Sequence, residues 1–114
     1  MTRTPAETWV DYLAVWNGQA PLTELEGLLD AEYSGQVGGL VQDSAALSTR
    51  IEVYRLANPT ATFEILDQFG CGDRLVTRLQ VRGLSGQEHP MHGMNIGEHR
   101  DGRLLREWAV WETV

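Results

Sequence analysis

The 114-residue chain has no lysine; its nine basic residues are all arginine. Sixteen Asp and Glu outnumber them, giving a formal net charge of -7. Neutralising phosphates requires clustered positive charge, so no nucleic-acid partner is expected. There is one cysteine, Cys71, which excludes an internal disulfide and suits a reducing, cytoplasmic compartment. No apolar run approaches the ~20 residues that cross a bilayer, so no membrane partner is expected. Residues Met1 to Pro5 lack the apolar stretch of a signal peptide. Proline-rich and serine-rich tracts, single-sign charge runs and internal repeats are also missing. What remains is 42% hydrophobic and 22% charged, ordinary for one globular domain over residues 1–114. At this size folding buries roughly two-thirds of the chain's surface, so a large pocket would compete with the core. Four tryptophans, Trp9, Trp16, Trp108 and Trp111, are many for the length.

The first half has a helical period. Thr4-Pro5-Ala6-Glu7 has the form of a capping box with Pro at the first helical position. Trp9, Tyr12, Leu13 and Trp16 follow at i, i+3, i+4 and i+7, and Asn17-Gly18 stops the helix. A short second helix is expected from Ala20-Pro21, with Leu22, Leu25, Leu28 and Leu29 as its stripe. Ala31 to Val41 is glycine-rich and reads as irregular, with Gly35 to Gly39 as a flexible pocket lip. Asp43 or Ser44 caps a third helix whose face carries Leu47, Ile51 and Tyr54, ended by Asn58-Pro59.

The second half switches to a period of two. Thr62 to Phe69, Arg74 to Gly83, Met91 to Arg100 and Leu104 to Thr113 are expected strands. Asp101-Gly102 is a type I′ hairpin signal. Three helices followed by a strand meander define an α+β class with helices covering one face of a curved antiparallel sheet.

Asn58-Pro59, Phe63-Glu64-Ile65, Gly72-Asp73-Arg74-Leu75-Val76-Thr77-Arg78 and Val81-Arg82-Gly83 resemble the pattern of SnoaL-like proteins of the NTF2-like superfamily. So do Gly93-Met94-Asn95-Ile96 and Asp101-Gly102-Arg103-Leu104-Leu105-Arg106-Glu107-Trp108, with Asp30-Ala31-Glu32-Tyr33 after the Leu-rich helix. The resemblance spans nearly the whole chain, but its motifs are turn signals that speak for fold more than for function. It implies an NTF2-like cone: three N-terminal helices packed on a curved antiparallel sheet around a pocket. It further implies polyketide-cyclase, steroid-isomerase, dehydratase or epoxide-hydrolase chemistry, or a pocket without a reaction. Homodimers through the outer sheet face belong to the same expectation.

Two positions depart from the family's pattern. The pocket Asp that follows the Trp-bearing part of the last strand is matched here by Ala109. The Arg and Asp two residues apart in epoxide hydrolases are matched by Arg78 and Gln80, and an amide takes up no proton as a carboxylate does. Neither cyclase nor epoxide-hydrolase activity therefore transfers. If Arg78 and Gln80 point inward, strand parity brings in Val76 and Arg82 as well. On the last strand the resemblance puts Ala109 inward, and parity then brings in Leu105, Glu107 and Trp111; Asn95 is on the matching phase of the third strand.

Glu107 is the candidate base, placed to abstract a proton next to a carbonyl; a rim carboxylate paired with an arginine is the bland alternative. Arg78 is the candidate oxygen-binding cation, or else half of an ion pair with Glu107 or Asp67. Tyr33, at the family's pocket Tyr, is a candidate donor or a half-buried aromatic whose hydroxyl reaches solvent. Gly35 stands where some members carry a polar partner to it. Gln80, Asn95, Trp111, Ala109 and Tyr54 complete the expected ligand lining.

No metal is expected. His92 and His99 fall on opposite faces of one strand, and His89 lies in a loop. Cys71 lies in a Gly-Cys-Gly turn with no activating partner. No glycine-rich segment joins a strand to a helix, and no nucleophile elbow is present. Trp108 is expected outward with Val110, Leu104, Leu79 and Val81, as an apolar dimer face. The chain's end at Val114 is expected to leave the pocket without C-terminal cover.

The expected function is a cofactor-independent isomerase, cyclase or dehydratase acting on a small apolar oxygenated metabolite, such as a polyketide or a steroid-like compound. A non-catalytic binding or dimeric interaction protein is the alternative. An epoxide hydrolase is third, disfavoured by Gln80 and Ala109.

Overall fold

Thr4 begins the first helix as its sequence dictates. Its Oγ1 accepts from the Glu7 amide at 3.2 Å, and Glu7 Oε1 accepts from the Thr4 amide at 3.0 Å. The structure, a computed structural model, describes residues 3–113; Met1, Thr2 and Val114, within the single domain expected from the sequence, lie outside the described residues. The helix α1, Pro5–Trp16, buries Trp9, Tyr12, Leu13 and Val15. Gly18, at φ +72°, takes the left-handed conformation that turns the chain away.

The expected second helix is shorter than its leucine stripe. A 3-10 turn, Leu22–Glu24, leads into the single turn α2, Leu25–Leu28. Leu29 already opens strand β1, Leu29–Val37, which turns back through Gly38 and Gly39 into β2, Leu40–Gln42. The segment Ala31 to Val41, read as irregular, is thus mostly a hairpin, and Gly35 to Val37 of the expected flexible lip belong to β1. Its missing signal is a partner far away in sequence: Ser34 to Val37 pair in parallel with Arg106 to Ala109. Helix α3, Ser44–Ala57, follows, capped by Asp43 Oδ1 accepting from the Ala46 amide at 2.8 Å. It comes after two strands, so the expected block of three N-terminal helices does not hold.

Four strands complete the chain: β3 Thr62–Cys71, β4 Arg74–Arg82, β5 Met91–Arg100 and β6 Arg103–Thr113. Asp101 and Gly102, at φ +53° and +78°, make the turn between β5 and β6. The sheet is curved and open, in the order β2-β1-β6-β5-β4-β3. Every pairing is antiparallel except β1 with β6, which corrects the expectation of a wholly antiparallel sheet. The core lies between the helices and the inner face, where Leu47, Ile51, Val15 and Leu104 are fully buried.

Register settles which residues face inward. Thr77, Asn95 and Ala109 pair directly across β4, β5 and β6, as do Leu79, Gly93 and Trp111. Directly opposed residues share a face. With Asn95, Ala109 and Trp111 inward, Thr77 and Leu79 must be inward, and Val76, Arg78, Gln80 and Arg82 point outward. The expected phase of β4 is therefore one residue out. The inward set Leu75, Thr77, Leu79 and Val81 is buried, whereas Arg78 and Arg82 are exposed.

Candidate active site

The inner face and the helices enclose a cavity of about 270 Å³. Its wall is mainly apolar, with Trp9, Trp16, Phe63, Leu79, Val81 and Trp111 among the large side chains that line it. Trp111 lies so close over Gly93 that an added Cβ there would be 2.5 Å from the indole. Among the described residues, the only charged ones lining it are Arg50 and Glu107.

Glu107 is 4% exposed and receives three hydrogen bonds from three different elements. Tyr12 of α1 donates to its Oε2 at 2.6 Å. Tyr33 of β1 donates to the same oxygen. Asn95 of β5 donates its amide to Oε1 at 2.8 Å. All three partners donate, as a carboxylate acceptor requires. Burial first, and the adjoining Glu107 charge second, hold both phenols far above the ordinary tyrosine range, so they remain protonated donors. Oε1 has a single donor and is the oxygen with accepting capacity left.

Glycines flank the carboxylate on both neighbouring strands, and one of them, Gly35, makes the approach of Tyr33 possible. Gly35 of β1 and Gly97 of β5 are the cross-strand neighbours of Glu107. A Cβ on Gly35 would lie 2.5 Å from the Tyr33 hydroxyl and 2.9 Å from Gln42 Nε2. The glycine that departs from the family's polar residue is thus the space through which Tyr33 reaches the carboxylate.

The network continues outward from Tyr33. Gln42 donates its amide to the Tyr33 hydroxyl at 3.0 Å, and Arg50 donates to Gln42 Oε1 at 2.6 Å. Every bond from Arg50 through Gln42 and Tyr33 to Glu107 has its donor on the arginine side. Dipoles aligned this way reinforce one another.

The expected site residues divide clearly. Glu107, Asn95, Ala109, Trp111 and Tyr54 line the cavity, and Tyr33 reaches Glu107 from behind the wall. Arg78 is exposed on the outer face, so its expected oxygen-binding role is ruled out by register. Gln80, also of the outer face, lies between Glu64 and Arg82. The Tyr33 hydroxyl hydrogen and one of the two Asn95 amide hydrogens, expected to serve a substrate, are already committed to Glu107. Tyr12 was expected only in the core; its period gave its burial but not its partner. Gln42 and Arg50 carried no expectation, although an arginine on the Leu47–Ile51–Tyr54 face of α3 was a visible signal. Ala109 lines the wall one inward position beyond Glu107, so the carboxylate stands a step of ~6.6 Å along the strand from the family's Asp position. Among the described residues no three His, Cys, Asp or Glu side chains converge as metal ligands. None of their helices is long and apolar enough to cross a membrane.

No protein-family model matches the sequence, and no curated protein is significantly similar to it. Solved structures are. Wild-type IdmH from Streptomyces antibioticus, a candidate polyketide cyclase, matches with a TM-score of 0.81 at 19% identity, over 95% of this chain and 91% of that one. A candidate SnoaL-like polyketide cyclase from Jannaschia sp. CCS1 matches at 0.82 and 12% identity, over 95% and 85%. A candidate isomerase of the SnoaL-like family from Agrobacterium tumefaciens matches at 0.74 and 16%, over 95% and 94%. The chain has the NTF2-like fold in the form that SnoaL-like proteins share.

Proposed function

We propose that the protein is a SnoaL-like enzyme that performs acid–base chemistry without a cofactor, isomerising or cyclising a small apolar molecule with oxygen functions. Glu107 is the base. The observation that carries this reading is a buried carboxylate on the wall of an apolar cavity, held in place by Tyr12, Tyr33 and Asn95 and retaining accepting capacity at Oε1. Water-poor surroundings suit proton abstraction next to a carbonyl, and the three donors fix where the carboxylate stands. The names borne by the structural neighbours, polyketide cyclase and isomerase, point to the same class of chemistry.

Exchange at carbon tests this. The two-ring ketone 2-tetralone, incubated with the protein in D2O and followed by NMR, should exchange its α-hydrogens above the buffer rate. Glu107→Gln should remove about 10²-fold or more of that acceleration. Equal exchange by the folded variant would refute Glu107 as the base.

A second reading, a binding protein without a reaction, is favoured by the three internal donors that Glu107 already has. It predicts ketone binding with no exchange. We further propose a homodimer through the outer sheet face.

A further inference from the structure

Among the described residues Arg50 is the one cation on the cavity wall, and it forms no ion pair with any described carboxylate. Its single side-chain partner is the neutral Gln42 oxygen, reached through Nη1. The Nε–Nη2 edge, the side of a guanidinium that grips a carboxylate in two parallel bonds, has no acceptor among the described residues. One helical turn further along α3, Tyr54 lines the same cavity with a hydroxyl that is buried and without a partner. Residues four apart lie on one face of a helix. The Tyr54 ring is fixed edge-on to Trp16 at 5.2 Å and against Phe63 at 5.4 Å. Burial raises its hydroxyl to about 12, so it remains a protonated donor in neutral solution. Glu107 has three donors for its charge, while Arg50 has no anion for its own. A partly buried charge without a counter-charge costs stability that a bound anion would restore.

We propose that Arg50, assisted by Tyr54, is an anion subsite that selects ligands carrying a carboxylate on an apolar ring system. The two ends of the cavity then have separate tasks. The α3 side holds the ligand's acid group, and the β6 side presents Glu107 to its reactive carbon. The Gln42–Tyr33 relay ties the two ends, because the residue that orients Arg50 also bonds a donor of Glu107. The subsite deepens the enzyme reading and rests on the cavity being a ligand site, but not on Glu107 being a base.

The test is binding of a matched pair, 2-naphthoate and its neutral methyl ester, by calorimetry at pH 7. The wild type should favour the acid by at least about tenfold, the lower range of a charge-assisted hydrogen bond. Arg50→Met should abolish that preference while retaining ester binding, and Arg50→Lys should keep only part of it. Tyr54→Phe should weaken the acid several-fold. Equal affinities in the wild type, a preference that survives Arg50→Met, or no binding of either probe by the folded wild type would each overturn the subsite. Acid-selective binding without exchange of 2-tetralone would sink the base and leave the subsite standing. Exchange without acid preference would do the reverse.

Discussion

Gly35 and Glu107 face each other across the parallel pair of β1 and β6, and the glycine's missing side chain is what admits the Tyr33 hydroxyl to the carboxylate. Glycine is required here for space, since Gly35 has no positive φ. Gly35→Ala should push the Tyr33 hydroxyl off Glu107 and Gln42 off Tyr33. Overpacking of this kind costs about 1–3 kcal/mol, readable as a lower urea midpoint with an unchanged slope. A midpoint equal to wild type would show that the strand yields without loss.

Tyr12 and Tyr33 share one acceptor oxygen, so their contributions should not add. Each single change to Phe leaves Oε2 one donor and should cost about 2 kcal/mol, the range for a bond to a charged group. The double variant should cost more than the sum, because it strands a buried oxygen. A double-mutant cycle in urea measures the coupling, expected at about 0.5–3 kcal/mol. Strict additivity would mean that water replaces the lost hydroxyls.

His99 is 2% exposed, and neither of its ring nitrogens has a partner. Burial lowers its pKa, against an opposing pull from the backbone of Asp73 and Gly97 and from the Asp73 charge. The folded chain therefore binds a proton less readily than the unfolded one, and stability should fall as pH drops below about 6.5. His99→Leu should flatten that part of the stability curve between pH 7 and 5. An unchanged slope in the variant would assign the pH dependence to other groups.

The outer face carries Met94, Ile96 and Val110, with Val110 64% exposed, beside Trp108 and Val76. Leu79, Val81 and Leu104, expected in this patch, are buried instead in the interior. A patch of this kind marks a contact surface, and the dimer we propose should use it. Sedimentation at micromolar concentration should give a dimer mass for the wild type and a monomer for Val110→Glu. A wild-type monomer would refute the dimer.

Much of the fold could be read locally. The capping box at Thr4, the Asp43 cap, the Asp101-Gly102 turn and the last four strands depend on neighbours within a few residues, and they stand close to where local pattern puts them. The inward placement of Glu107, Trp111 and Asn95 followed from strand phase once the family correspondence had put Ala109 in the pocket. What failed was phase and partnership between segments. Arg78 and Gln80 were placed inward by family correspondence, although Leu75, Thr77, Leu79 and Val81 alternated as the more apolar set of the same strand.

Helix caps, the strand period, the absence of an internal disulfide and the shared phase of Glu107, Ala109 and Trp111 on β6 are all written in the order of the residues. That Ala31 to Val41 forms strands is not, because β1 is held by β6, some 70 residues away. Folding of the whole chain brought Tyr12, Tyr33 and Asn95 to Glu107 and turned Arg50 toward the same cavity. Local sequence sets which conformations are cheap. Which polar groups meet in the interior is set by register and packing between distant segments, since a buried donor must find its acceptor wherever the fold provides one.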